Sequence, residues 1–88
     1  MNSLKVAIVL PVYNVASYLR ECLDSILAQE YKNFIVIAVN DGSTDGSQEI
    51  LELYAKKDSR IIVLDQENSG ISSVRNRALE LIEAMKDI

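Results

Sequence analysis

The sequence FIVIAVNDGSTD at residues 34–45 passes directly from an apolar run into a polar loop. The run at 34–39 is rich in Ile and Val and shows no alternation of apolar and polar residues, a pattern typical of strands covered on both faces of a parallel sheet. The segment that follows, 40–47, contains two carboxylates, two glycines and three hydroxyls. This stretch therefore predicts a buried strand, Phe34–Val39, whose carboxyl end opens into a candidate site.

Two similar apolar runs lie on either side of this strand, at Val6–Leu10 and Ile61–Leu64. The three runs start about 28 residues apart, close to the usual length of a βαβ unit. The sequence therefore predicts an α/β fold with the order β-α-β-α-β-α, in which three parallel strands are joined by right-handed crossovers.

The stretch after each strand places apolar residues on one face of a helix. These are Leu19, Cys22, Leu23, Ile26 and Leu27 in the first, Ile50, Leu53 and Tyr54 in the second, and Ile71, Val74, Ala78, Leu81, Ile82 and Met85 in the third, which is predicted to run to about Lys86. No linker divides the chain, so residues 1–88 are predicted to be one domain. Two open sheet edges indicate the front half of a larger α/β fold.

The composition excludes several classes of function. The chain has 88 residues and a net charge of −4 with scattered basic residues, so neither a nucleic-acid interface nor a polybasic membrane patch is expected. The absence of histidine excludes a Ser-His-Asp triad. The single cysteine cannot form an internal disulfide, and neither a signal peptide nor an apolar run of about 20 residues is evident. We therefore expect a cytoplasmic domain without a membrane segment.

The three strand-to-helix loops, 11–14, 40–47 and 65–70, are the candidate site, because ligands of open α/β sheets bind at the carboxyl ends of the strands. In the first loop Pro11 is predicted to end the strand and Asn14 to cap the first helix. Tyr13 either packs nearby or offers a flat face to a base or a sugar.

The second loop contains two aspartates with different expected roles. Asp45 is predicted to cap the second helix, with Gln48 completing a capping box. Asp41 lies at the strand end, where no capping role is expected, so it is predicted to accept hydrogen bonds from a base or a ribose, or to hold a metal. The segment beginning at Asp41 also matches the ligand positions of an EF-hand calcium loop, but a strand precedes it where an EF-hand has a helix. Calcium binding is therefore disfavoured.

The third loop leads into a helix through Gly70, which allows close approach of the backbone, and a helix N-terminus favours anions. Arg75 either reaches a phosphate with two hydrogen bonds or lies on the solvated face of the helix. The sequence leaves both interpretations open.

Taken together, these loops resemble the family 2 glycosyltransferases, which have the GT-A fold. The resemblance covers most of the chain, in four motifs in the family's order: the opening strand and Pro-x-Tyr-Asn signature at 6–14, the first helix at 18–27, VNDGSTD at 39–45, and Asn-x-Gly leading to Val-Arg-Asn at 68–76. Val74 stands where the family more often has alanine.

The resemblance implies the nucleotide-binding front of a glycosyltransferase, an enzyme that moves a sugar from a nucleotide-diphosphate donor, most often a UDP-sugar, to an acceptor. By the resemblance, Asp41 would accept a hydrogen bond from the base, Tyr13 would pack against that base, and Pro11 would shape the pocket. Asp45 and Arg75 would lie near the nucleotide. No catalytic residue and no metal ligand is assigned within this sequence.

In the family, the Asp-x-Asp motif that holds Mg²⁺ or Mn²⁺, the catalytic base and the acceptor site all follow the part that this sequence resembles. We therefore expect no cofactor in this chain and no sugar transfer by these residues alone. The alternative is a non-catalytic module for nucleotide binding or self-association, forming a homo-oligomer through its open sheet edges.

Overall fold

The computed structural model describes residues 6–85. In chain order the elements are β1 (Val6–Val12), α1 (Ala16–Leu27), β2 (Phe34–Asp41), α2 (Ser47–Lys57), β3 (Ile61–Gln66) and α3 (Ile71–Met85). The predicted order β-α-β-α-β-α is confirmed. The predicted extension of the third helix to Lys86 lies outside the described residues.

The three strands form one parallel sheet in the order β1-β2-β3. Val6 of β1 pairs with Phe34 of β2, and Val36 of β2 pairs with Ile61 of β3. All eight residues of β2 are buried, because this strand has a neighbour on each side and helices over both faces. This position explains the unbroken apolar run at 34–39.

Each strand extends two residues beyond its predicted end, to Val12, Asp41 and Gln66. The prediction that Pro11 ends the first strand is wrong, because Pro11 pairs with Val39 inside the ladder. A proline is tolerated there because β1 is an edge strand and need not donate on its outer side. The last two residues of β2 and of β3 are polar, and a prediction from the apolar pattern alone therefore places the ends of these strands too early.

The helices cover both faces of the sheet. On one face, α1 and α2 bury Leu19, Leu23 and Leu51 against Val12 and Ala38. On the other face, α3 packs Val74 and Ala78 against Ile35, Ile37 and Val39 of the central strand. The carboxyl ends of the strands and the first turns of all three helices therefore meet at one edge of the sheet.

Two side chains depart from the predicted helix faces, Leu53 and Ile71. Leu53 is 40% exposed, and Leu51 is fully buried in its place on α2. Ile71 is 61% exposed, because the first residue of α3 lies beside the outer edge of β1, where residues 6–85 place no further strand. Cys22 is half-buried, as are Ile26 and Leu27 on the same face of α1. Over residues 6–85, no helix has the length and apolar character needed to cross a bilayer.

Candidate functional site

A cavity of about 400 Å³ opens where the carboxyl ends of β1 and β2 meet the start of α3. Its walls are formed by Pro11, Val12, Tyr13, Val15, Asp41, Asn68, Gly70, Ile71 and Val74. The structure therefore brings three of the predicted site residues, Pro11, Tyr13 and Asp41, to one place. The walls are mainly apolar, and Asp41 contributes the carboxylate among them.

Asp41 ends β2 and is only 6% exposed. Its Oδ1 accepts hydrogen bonds from the side-chain amide of Gln66 at 2.9 Å and from the backbone N–H of Ser69 at 2.8 Å. Its Oδ2 accepts from the backbone N–H of Gly70 at 3.0 Å. Because the two backbone donors, Ser69 and Gly70, immediately precede α3, the carboxylate caps the entry to that helix, and the prediction that Asp41 has no capping role is wrong.

The same hydrogen bonds keep Asp41 ionised. Those from the Gln66 side chain and the Ser69 backbone contribute most to lowering the pKa of the carboxyl below its ordinary value, and they outweigh the opposing effect of burial. The cavity therefore has a fixed negative charge at its inner wall. One of the two carboxylate oxygens, Oδ2, accepts a single hydrogen bond from the described residues and retains capacity for a second.

Gly42 allows the second and third loops to approach each other closely. Its φ is +77°, and a Cβ at this position would lie 2.7 Å from the backbone nitrogen of Asn68. The side-chain amide of Asn68 in turn donates to the backbone oxygen of Asp41 at 3.2 Å. Any larger residue at 42 would therefore push the Asn68 wall away from the cavity.

Asp45 does not line the cavity and instead joins two helices. Its Oδ2 accepts the backbone N–H of Ala16 at 3.1 Å, and its Oδ1 accepts the backbone N–H and the hydroxyl of Ser47 at 3.0 and 2.6 Å. The Ser47 hydroxyl contributes most to lowering the pKa of Asp45. Asp45 thus accepts hydrogen bonds from first-turn N–H groups of both α1 and α2. The bond to α2 is the capping role predicted from the sequence.

The predicted capping box is wrong, because Gln48 is bonded elsewhere. Its side-chain oxygen accepts from Asn40 at 2.7 Å, and its amide donates to Glu52 at 2.9 Å. The N-cap residue of α2 is Gly46, which has no side chain to supply a cap. The carboxylate of Asp45, one residue earlier, therefore caps α2, and the Gln48 side chain makes no hydrogen bond back to Asp45.

Asn14 does not cap α1 as predicted. It adopts a left-handed φ of 52°, its backbone N–H donates to the Ser43 hydroxyl at 2.9 Å, and its side-chain oxygen accepts from the Thr44 backbone at 2.8 Å. The helix begins after Val15, whose N–H donates to the Ser47 hydroxyl at 3.2 Å. The second loop therefore supplies the donors and acceptors that hold the first loop, and with it Tyr13, which is 52% exposed at the cavity rim.

Arg75 lies on the exposed surface of α3 and does not line the cavity beside Asp41. It lines a neighbouring groove of about 300 Å³ with Val9, Pro11, Ile71 and Val74. The cavity and the groove share Pro11, Ile71 and Val74, so Arg75 lies next to the cavity across the start of α3.

Gln66 and Ser69 are the polar contacts of Asp41 that the sequence did not single out. Gln66 stands beside Asp41 in the strand register, and that position could have indicated the contact once the true ends of β2 and β3 were known. No comparable signal exists for Ser69, because its backbone N–H donates the hydrogen bond to Asp41 and its side chain takes no part in that bond.

The described residues contain no group of three or more His, Cys, Asp or Glu side chains placed to hold a metal ion. Asp41 turns toward the third loop and Asp45 toward the first, so the two carboxylates do not converge as they would in a calcium loop. The donor set therefore does not fit Ca²⁺, and it does not fit Mg²⁺ or Mn²⁺ either.

Known proteins that are similar to this chain are glycosyltransferases. The sequence model described as Glycosyl transferase family 2 matches residues 7–83. The chain is 52% identical over 75 residues to glycosyltransferase GlyA of Streptococcus pneumoniae, and 45% identical over 80 residues to the putative glycosyltransferase EpsH of Bacillus subtilis. These matches cover 85% and 91% of the chain, but only 11% and 23% of the two relatives.

Among solved structures, the chain is similar to the mannosyltransferase PcManGT from Pyrobaculum calidifontis, which was determined in complex with GDP-Man and Mn²⁺. The TM-score is 0.78 at 29% sequence identity, over 85% of this chain and 23% of that one. The β-α-β-α-β-α unit thus corresponds to the front half of a GT-A-like fold. The family match spans nearly all described residues, and the chain belongs to glycosyl transferase family 2.

Proposed function

We propose that this chain forms the donor-nucleotide site of a glycosyltransferase that takes a nucleotide-diphosphate sugar, with a UDP-sugar favoured, and transfers the sugar to an acceptor. The observation that carries the proposal is the meeting of the Tyr13 ring and the ionised Asp41 carboxylate in one cavity at the carboxyl edge of the sheet. The PcManGT complex, which contains GDP-Man, supports a nucleotide sugar as the class of ligand.

In the proposal, Asp41 accepts a hydrogen bond from a ring N–H of the base. Oδ2 is the oxygen with remaining acceptor capacity, and its charge strengthens a bond from a neutral N–H donor. The uracil ring presents one such N–H, and the guanine ring presents one together with an exocyclic amine. The carboxylate therefore suits both bases, and the family resemblance is what favours uracil.

The apolar part of the cavity supports stacking of that base. Tyr13 is half-exposed and lines the cavity, and stacking on an aromatic side chain is worth about 1–3 kcal/mol per base. Pro11 lies on the same wall and shapes the opening. In this proposal Asp45 acts by holding the first loop in place, and Arg75 reaches a phosphate from the neighbouring groove.

We propose that these 88 residues bind the nucleotide without transferring the sugar. The leaving diphosphate of such a reaction is stabilised by a divalent cation, and the carboxylates described here do not provide its ligands. Mg²⁺ or Mn²⁺, the catalytic base and the acceptor contacts would belong to other parts of a longer enzyme. A cytoplasmic location is also proposed, since the single cysteine requires no oxidising compartment.

The test is an amide NMR titration of the chain with UDP and, in parallel, with GDP, each with and without Mg²⁺. We expect UDP to shift the amides of Tyr13, Asp41 and Gly70 equally with and without the metal. Tyr13→Ala is expected to weaken binding roughly tenfold through lost stacking. Tyr18→Ala, which removes a ring that is 59% exposed on α1 and outside the cavity, is the matched control and should bind normally.

A dispersed spectrum that neither nucleotide changes would contradict the proposal and favour a non-catalytic interaction module. Shifts with GDP but not with UDP would overturn the choice of base. Sugar transfer by the isolated chain would overturn the proposal that these 88 residues bind the nucleotide without catalysing the transfer.

A further inference from the structure

Two half-buried side chains, Gln66 and Arg77, connect α3 to the carboxylate of Asp41. Gln66 is the last residue of β3, and its Nε2 donates to Oδ1 of Asp41 at 2.9 Å. Its Oε1 accepts from Nη1 of Arg77 at 3.5 Å. Neither Gln66 nor Arg77 lines the cavity. A line of hydrogen bonds therefore runs from α3, through the end of β3, to a carboxylate in the cavity wall.

The position of Arg77 is fixed by the packing of α3 and by a second hydrogen bond. Val74 and Ala78 pack this helix against the central strand, and Arg77 lies between them in the sequence. The same Nη1 atom that bonds Gln66 donates to the backbone oxygen of Asp65 at 2.7 Å. The guanidinium is therefore held against two consecutive residues of β3.

The two charged partners of Gln66 determine which way its amide faces. A guanidinium can only donate hydrogen bonds, and an ionised carboxylate can only accept them. If the amide were turned over, its NH₂ group would face the donors of Arg77 and its oxygen would face Asp41, so both contacts would become repulsive. Arg77 and Asp41 therefore select the same orientation, in which Gln66 donates to the carboxylate.

We propose that Arg77 is a positioning residue of the donor site, which fixes the amide of Gln66 so that Gln66 holds Asp41 ionised and correctly oriented for the base. The inference rests on the proposed function, in which Oδ2 of Asp41 bonds the base. Gln66 and Ser69 both donate to Oδ1, so rotation of the carboxylate would break two bonds. The remaining acceptor capacity therefore stays at Oδ2.

The charge of Arg77 adds to this effect. Asp41 is only 6% exposed, and a base stacked in the cavity would exclude further water from it. A buried carboxylate is costly unless hydrogen bonds compensate its charge, and hydrogen bonds in a chain strengthen one another. The positive charge of Arg77 polarises the Gln66 amide in the direction that strengthens its bond to Asp41.

The first test uses the 88-residue chain without nucleotide, so that its outcome is independent of the proposed donor site. NMR of the isotope-labelled chain follows hydrogen exchange at the Gln66 side-chain amide and the titration of the Asp41 carboxyl carbon. Arg77→Met should speed this exchange and raise the pKa of Asp41, because the Gln66 bond contributes most to lowering it. Lys56→Met, which removes a positive charge from the exposed surface of α2, should change neither.

Rescue by lysine separates this role from a purely structural one. Both bonds of Arg77 come from the single nitrogen Nη1, so the ammonium group of a lysine has enough N–H donors for both. Arg77→Lys should therefore restore slow exchange at Gln66 and the low pKa of Asp41. An Arg77→Met variant with a lower Tm but an unchanged Asp41 titration would show that Arg77 only ties α3 to β3, and would overturn the proposal.

The second test is UDP binding at neutral pH. Gln66→Glu keeps the shape of the side chain and an acceptor for Arg77, but it turns a second acceptor toward Asp41. We expect UDP to bind roughly tenfold more weakly to this variant and roughly threefold more weakly to Arg77→Met. Gln29→Glu adds the same charge at an exposed position after α1 and should bind as the wild-type chain does.

The two tests distinguish failure of this proposal from failure of the proposed function. UDP binding that Gln66→Glu and Arg77→Met leave unchanged would overturn the positioning role and leave the donor site standing. A wild-type chain that binds no UDP would overturn the proposed function, whereas exchange at Gln66 and the titration of Asp41 would still decide whether Arg77 acts on Asp41.

Discussion

Asp41 shows how one side chain serves the fold and the candidate site together. It holds the entry of α3 through Ser69 and Gly70, and it also lines the cavity. Its place at a strand end was predictable from the sequence. Its capping role was not, because the two backbone donors are 28 and 29 residues away along the chain and only the folded sheet brings them near.

Replacing Asp41 with asparagine should disturb both roles. The amide retains one acceptor oxygen, so the Ser69 and Gly70 N–H groups can no longer both be satisfied by a charged partner. We expect faster hydrogen exchange at these two amides and roughly tenfold weaker UDP binding. Asp65→Asn, at the adjacent exposed position of β3, is the control. Unchanged exchange at Ser69 and Gly70 would refute the capping role.

Acid should destabilise the chain through its aspartates. The Arg60 side chain, at 2.7 Å and 3.0 Å from the Asp58 oxygens, lowers the pKa of Asp58 from 3.8 to about 2, and the pKa values of Asp41 and Asp45 are lowered too. Since the unfolded chain binds protons first, this stabilisation is complete above pH 3.8 and is lost as the pH falls toward 2. Thermal melts should show a steep fall in Tm there, and Asp58→Asn should reduce that fall.

The helices and strands were largely predictable, and their ends were not. Unbroken apolar runs located all three strands, but the ladder continues through polar residues such as Asn40 and Asp41, because their backbones pair with β3. Periodicity located the three helices as well. It misplaced Leu53 and Ile71, because the burial of a helix face depends on which strands lie beneath it, and that is a property of the sheet order.

The first turns of α1 and α2 depend on each other through Asp45. Asp45→Ala would leave the N–H groups of Ala16 and Ser47 without this acceptor. We expect faster amide exchange in the first turns of both helices and a lower Tm, with α3 unaffected. Thr44→Ala removes only a hydroxyl 3.5 Å from the Asn14 side chain and should have little effect. Faster amide exchange in α2 alone would show that the bond from Ala16 to Asp45 does not stabilise α1.

Within residues 6–85 the sheet has one fully enclosed strand, so the stability of this part of the chain is concentrated in β2. Ile37 is fully buried between α3 and the neighbouring strands, and Ile37→Ala should cost about 2–5 kcal/mol of unfolding free energy. Ile71→Ala, at a side chain that is 61% exposed, should cost little. Urea denaturation measures both, and equal effects would contradict the central place of β2. The sequence predicted helices on both faces, but it could not assign α3 alone to one of them.

The bonds that shape the cavity join residues that are far apart in the chain: Asn14 reaches Thr44 across 30 residues, and Asp41 reaches Gly70 across 29. These bonds are divided between the two βαβ units. Both crossover segments must therefore close before the cavity can reach its final geometry. During synthesis, a growing chain therefore cannot acquire the pocket until the segment around Gly70 has left the ribosome. Competence to bind therefore depends on the loop that follows β3, the last strand of the described sheet.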